Sequence, residues 1–254
     1  MRLITPTATT LVGLFVLCAS PSLAQDASVP SWYPTQLTHL GEAQQVIVVT
    51  APKWSSTHGI LRAFELNPAG NWSEVLNATP AILGYSGLIR AKDRRQGSGK
   101  TPTGTFAITA AFGRLGNPET ALPYTQVDLN DAWTYNPSHP ATYNLFQTVD
   151  LTWSGYRGYV EKLWGFGEQY DYVAVLDYNL PIGPVTTGAD GIRRSPGPPS
   201  LTAGGGIFLH VSNGNLTSGC ISIEEARMKK LLTWLDPIHQ PVIVIGTEAT
   251  IATM

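Results

Sequence analysis

A histidine, His210, closes the apolar run Ile207-Phe208-Leu209, and ten residues later a cysteine, Cys220, follows Thr217-Ser218-Gly219. A thiol is a strong nucleophile only as its thiolate, and a neighbouring imidazole can take the thiol's proton and return it to a leaving group. The pair therefore suits acyl transfer or hydrolysis through a thioester. Each residue alone also has a structural reading: an inert buried thiol, and a hydrogen-bonded core histidine. Gly219 favours the chemical reading, because it lets the backbone turn sharply and presents N–H groups where Cys220 begins the next segment. His39, His58, His139 and His239 stand in loop-like or surface-like surroundings, which leaves His210 as the candidate base.

The second cysteine, Cys18, falls in a stretch that reads as a secretory leader. Arg2 supplies its positive start, Leu11 to Ala19 its apolar centre, and Ser22-Leu23-Ala24 the small residues of a cleavage site. We expect residues 1–24 to be removed, so that Cys220 stays unpaired in a compartment where thiols usually pair. The mature chain is then expected in a periplasm or secreted to the cell wall. The leader's apolar centre is too short to cross a bilayer, and no later stretch is long and apolar enough to do so.

Residues 25–44 read as an N-terminal segment, 45–246 as a single domain and 247–254 as a C-terminal tail. With 43% hydrophobic and 13% charged residues, 25 Gly and 19 Pro, the chain is compact and turn-rich rather than disordered. Its formal net charge of -2 argues against nucleic acid as a partner, since neutralising phosphates takes a basic surface.

The elements that must hold the pair are mainly β. Strand-like runs fall at Gln45 to Thr50, Gly59 to Leu66, Gly104 to Ile108, Tyr172 to Tyr178, Gly206 to Ser212 and Pro241 to Ile245. Asp131 to Gly167, dense in aromatics and Gly, reads as long loops and short strands, and the Pro-rich stretch from Pro181 to Gly206 as a loop entering the His210 strand. One helix follows Cys220. Ser222 with Glu225 suggests a capping box, Met228, Leu231, Leu232 and Leu235 repeat at helical spacing, and Asp236-Pro237 ends it. Such a helix would begin two residues past the thiol and direct its positive end toward it.

Ile207 to Val211 followed by Thr217-Ser218-Gly219-Cys220-Ile221-Ser222 resembles the signature of the YkuD-type L,D-transpeptidases, in a variant with Ser-Gly-Cys where many members have His-Gly-Cys. Gly99-Lys100-Thr101-Pro102-Thr103-Gly104-Thr105-Phe106 resembles a second run of that family, in the right order. The resemblance implies a β-sandwich-like or barrel-like domain of mixed sheets acting on peptidoglycan stem peptides. It also implies that Cys220 is the nucleophile, His210 the base and acid, and the backbone N–H groups of Ser218, Gly219 and Cys220 the oxyanion hole. Attack at the residue before the terminal D-alanine would release D-alanine, and an amine on a second stem peptide would take the acyl group.

Stem peptides carry carboxylates, which favours basic residues near the thiol. Arg90, Lys92, Arg94, Arg95 and Lys100 form one basic cluster, and any single member reads as part of a solvated loop. Lys100, Thr101, Arg193, Arg194, Thr217 and Ser222 are the candidate substrate-binding residues. No Cys/His spacing suggests a zinc site and no Gly-x-Ser-x-Gly elbow is present, so we expect no metal and no cofactor. A thiol hydrolase or L,D-carboxypeptidase, and a catalytically inert wall-binding module, are the competing readings.

Overall fold

The computed structural model describes residues 29–149, 153–156 and 158–254, so the expected leader with Cys18 lies outside the described residues. The fold is mainly β. It opens with β1 (Gln45–Ala51), β2 (His58–Leu66), β3 (Trp72–Ile82), the short β4 (Leu88–Arg90) and the long β5 (Thr101–Gly113). Next come β6 (Tyr124–Gln126), β7 (Ala132–Thr134), β8 (Leu145–Gln147), β9 (Val160–Lys162) and β10 (Val173–Leu176). A two-residue hairpin, β11 (Thr186–Thr187) with β12 (Arg193–Arg194), interrupts the Pro-rich loop. The chain ends with β13 (Phe208–Val211), β14 (Ile221–Ile223), helix α1 (Glu225–Trp234) and β15 (Val242–Thr247).

Eight strands close into a ring in the order β10-β13-β14-β3-β2-β1-β15-β5, because β5 also pairs with β10. The pairing is mixed: β1 runs parallel to β15 and β13 parallel to β14, while the other ring contacts are antiparallel. Every ring strand sends residues into one core, among them Ile47, Leu61, Leu76, Ile108, Ala174, Leu209, Ile221 and Ile243. Met228, Leu231 and Leu232 of α1 join them, each contributing about 1.5–3 kcal/mol by burial.

Two outer cores explain why strands such as β1 are apolar on both faces. Val46, Val48, Phe64 and Val244 pack under Trp32, Tyr33, Leu37 and Leu40 from the start of the described chain and Ile251 and Met254 from its end. Phe112, Val173, Val175 and Phe208 pack under a cap built from β7, β8, β9 and the 3-10 run Leu163–Tyr170. Edge-on contacts fix the cap: Trp133 to Phe208 at 4.9 Å and Tyr170 to Phe112 at 5.7 Å between ring centroids, each worth about 0.5–1.5 kcal/mol beyond burial. Cys220 belongs to this outer core.

The capping box does not form. Ser222 lies within β14, and α1 starts only at Glu225, with Glu224 as its N-cap and no side-chain cap bond. Ile221 and Ile223 must both enter the barrel interior, so the two-residue period of a strand overrides the local capping signal. A strand therefore separates the helix from the thiol. Strand β3 was not evident from pattern because it carries Pro80 and polar residues. It meets β14 only at Ser222 opposite Ile82, which leaves most of that edge open and tolerant of proline.

Candidate active site

The parallel register of β13 and β14 sets Leu209 beside Ile221 and His210 beside Ser222. Leu209, Val211, Ile221 and Ile223 fill the barrel interior, whereas Phe208 and Cys220 lie in the outer core. Alternation therefore puts His210, Ser222, Phe208 and Cys220 on one face beneath the cap. Cys220 is level with Phe208 and diagonal to His210 across the pair.

The turn before Cys220 is braced at each residue. Thr217 Oγ1 donates to the Cys220 carbonyl at 2.7 Å and accepts the Gly219 N–H at 3.2 Å. Thr101, fully buried, donates to the same carbonyl at 3.4 Å and accepts the Gly84 N–H at 2.8 Å. Gly219 has φ +137, and a Cβ there would lie 2.9 Å from both Arg94 Nη2 and the Lys100 carbonyl. Only glycine permits that turn and that approach.

Beside the thiol is a cavity of about 200 Å³ lined by Arg94, Tyr135, Glu161, Gly206, Ser218 and Cys220 among others. Arg94 is 3% exposed, and its Nε and Nη1 donate to the Lys100 and Ala203 carbonyls at 2.9 and 2.8 Å. Nη2 forms no hydrogen bond among the described residues. Glu161 sits in mid-β9 opposite Trp133 and accepts from Tyr170 Oη at 2.6 Å and Tyr135 Oη at 3.5 Å. One edge of Glu161 stays open to the cavity, while crowding on its other sides pushes its carboxyl up to about 7.

Burial also governs the candidate pair. It raises the Cys220 thiol to about 12, with the charge of Glu161 adding to the effect and that of Arg94 opposing it. It lowers His210 to about 4, against the carbonyls of Val211 and Gln169, which favour the imidazolium. Nδ1 of His210 lies 2.8 Å from the Val211 carbonyl, which selects the tautomer with the proton on Nδ1 and leaves Nε2 as the basic nitrogen. At rest both groups are neutral.

Residues 69–244 match the family model of the YkuD L,D-transpeptidase catalytic domain. The chain belongs to that family. Comparison with curated proteins finds no match. The matched span begins after β2, yet β1 and β2 complete the same ring.

Within this L,D-transpeptidase domain the candidate residues occupy different places. Cys220, Gly219, Ser218, Thr217, Thr101, His210 and Ser222 converge around the β13–β14 pair. The buried Ser222 Oγ has no hydrogen-bond partner among the described residues. Lys100 turns away: its Nζ donates to the Ser86 carbonyl at 2.7 Å beside a separate groove with Trp54 and Arg90, and its own carbonyl holds Arg94. Arg193 is tied to Gln147 and Phe146 and lines a different cavity of about 460 Å³ with Phe112, Trp133 and Phe146. Arg194 forms an exposed ion pair with Asp190 at 2.8 Å.

Among the five clustered bases, the one that lines the thiol's cavity is Arg94, whose burial its loop-like sequence did not signal. Glu161 and Asn144 gave no signal either. Asn144, at φ +57, accepts from Trp133 Nε1 at 2.7 Å and the Gly206 N–H at 2.9 Å, so it pins the cap to the loop beside the thiol.

Proposed function

We propose that this L,D-transpeptidase domain uses Cys220 to attack the peptidoglycan stem peptide at the amide before its terminal D-alanine. The reading is carried by one observation: Cys220 and His210 share a face of β13–β14, and the thiol lines a cavity that also holds a buried guanidinium. His210 Nε2 takes the thiol proton as the C–S bond forms and gives it to the leaving D-alanine amine as the C–N bond breaks. An amine on a second stem then forms a C–N bond to the thioester carbon and releases the thiol. Because both groups rest neutral, proton transfer and attack proceed together rather than from a preformed ion pair.

The oxyanion falls to the N–H groups of Ser218 and Cys220, with that of Gly219 held by Thr217 Oγ1 at rest. Nη2 of Arg94 is the free donor for a substrate carboxylate. Thr101 and Thr217 act as positioning residues through the Cys220 carbonyl. We place the working protein outside the cytoplasm, where its substrate lies, as the leader-like start of the sequence suggests.

The test is intact mass after exposure to a carbapenem-type acylating agent, with D-alanine release from tetrapeptide stems measured alongside. An adduct and D-alanine release that are lost in Cys220→Ala and His210→Ala support the reading. D-alanine release without cross-linked product would make water the acceptor, and wall binding with no adduct would overturn catalysis.

A further inference from the structure

We propose that Glu161 is the acceptor-binding residue: its carboxylate holds the incoming ammonium beside Cys220 and takes its proton before the amine attacks the thioester. This rests on the transpeptidase reading above. The geometry starts from Gly206, which lies between the two groups. The thiol of Cys220 donates to the Gly206 carbonyl at 3.3 Å, and a Cβ on Gly206 would lie 3.3 Å from Glu161 Oε1. The cap thus hangs a carboxylate over the same residue that the thiol touches from the barrel. Both line the same cavity.

No cation pairs with Glu161 among the described residues. Its two oxygens receive only phenol O–H groups, from Tyr170 and Tyr135, which fix the carboxylate while leaving acceptor capacity on the cavity side. Arg94 and Glu161 give the small cavity one buried charge of each sign. An amine of ordinary basicity arrives as an ammonium at neutral pH and cannot attack until it loses a proton. A carboxyl raised to about 7 by burial is matched to take that proton.

In the transfer step the ammonium gives one proton to Glu161, and the amine nitrogen forms a bond to the thioester carbon. The C–S bond breaks with its electron pair on sulfur. The surplus proton on the new amide nitrogen restores the Cys220 thiol, and the Glu161 proton leaves to water. Hydroxylamine, neutral at pH 7.5, needs neither the anion nor the deprotonation.

The experiment allows one acyl-enzyme to partition between N-acetyl-lysine amide and hydroxylamine, in wild type and Glu161→Gln. The ratio of amine to hydroxylamine transfer is expected to fall about 30-fold or more in the variant, with KM for the amine raised. The wild-type ratio should also lose a limb as pH falls through about 7. The groups facing Glu161 are Tyr135, Tyr170, Cys220 and Arg94, and burial pushes the two phenols and the thiol upward, away from that limb. An equal ratio in both proteins overturns the proposal and leaves the transpeptidase reading standing. Proportional loss of both transfers with a lowered Tm makes Glu161 a structural brace and also overturns it. No acyl-enzyme in wild type overturns the underlying reading and this proposal together. Tyr170→Phe gives a second measure: it retains the carboxylate but removes a donor that stabilises its anion, so the limb should move to higher pH. A limb that stays in place overturns the assignment.

Discussion

The thiol of Cys220 donates to the Gly206 carbonyl at 3.3 Å and forms no hydrogen bond with His210. A carbonyl acceptor holds the proton on sulfur, and burial works in the same direction. Alkylation of the free enzyme by iodoacetamide at pH 7.5 should therefore run on the order of 10²–10³-fold slower than that of an unperturbed cysteine. Its rate should climb with pH without a plateau below about 10. A plateau near pH 7, followed by intact mass, would reveal a preformed thiolate.

Gly219→Ala should lose acylation while remaining folded. The substitution meets a left-handed backbone at φ +137 and contacts of 2.9 Å with Arg94 Nη2 and the Lys100 carbonyl. Backbone strain alone costs about 1–3 kcal/mol, and relief by rotation moves the N–H groups before Cys220. Thermal unfolding and adduct formation measured together check both halves.

Arg94→Lys should be nearly as damaging as removal of the charge. A single ammonium cannot span the Lys100 and Ala203 carbonyls that Nε and Nη1 reach, so one buried carbonyl loses a partner. The expected loss of stability is about 2–3 kcal/mol, read as a lower urea midpoint at unchanged slope. A midpoint equal to wild type would show the loop is held by other contacts.

Two buried groups should oppose each other in the dependence of stability on pH. His210 has its folded value depressed from 6.5 to about 4, so its contribution is present above 6.5 and is lost as pH falls through about 4. For a ring this buried the size is on the order of 3 kcal/mol. Glu161 has its folded value raised from 4.5 to about 7, so its contribution is full below 4.5 and is lost as pH rises through about 7. His210→Asn should flatten the acid loss, and Glu161→Gln should flatten the change between 4.5 and 7. Urea midpoints at pH 4.5, 5.5 and 7.5 decide each case.

The residues able to do chemistry were visible because their signals are local. Cys220 after Gly219 and His210 after an apolar run are statements about neighbours in the chain. The β content and the apolar stripe of α1 were legible for the same reason, since period and burial are read within a few residues. Where two local signals competed, at Ser222, only the barrel decided between them. Ile221 and Ile223 bury more apolar surface as a strand than a cap at Ser222 returns.

The sequence by itself determined a candidate nucleophile, its candidate base and a turn that only Gly219 can make. Tertiary structure decided what surrounds them. Closure of β5 onto β10 and the folding of β7 to β9 over Phe208 bring Glu161 and Arg94, far apart in the chain, to one cavity. A glutamate beside Lys162 and an arginine beside Arg95 read as solvated until long-range packing removes their water. Desolvation is a property of the assembled neighbours, and it sets the charge state of the thiol, the imidazole and the carboxyl alike.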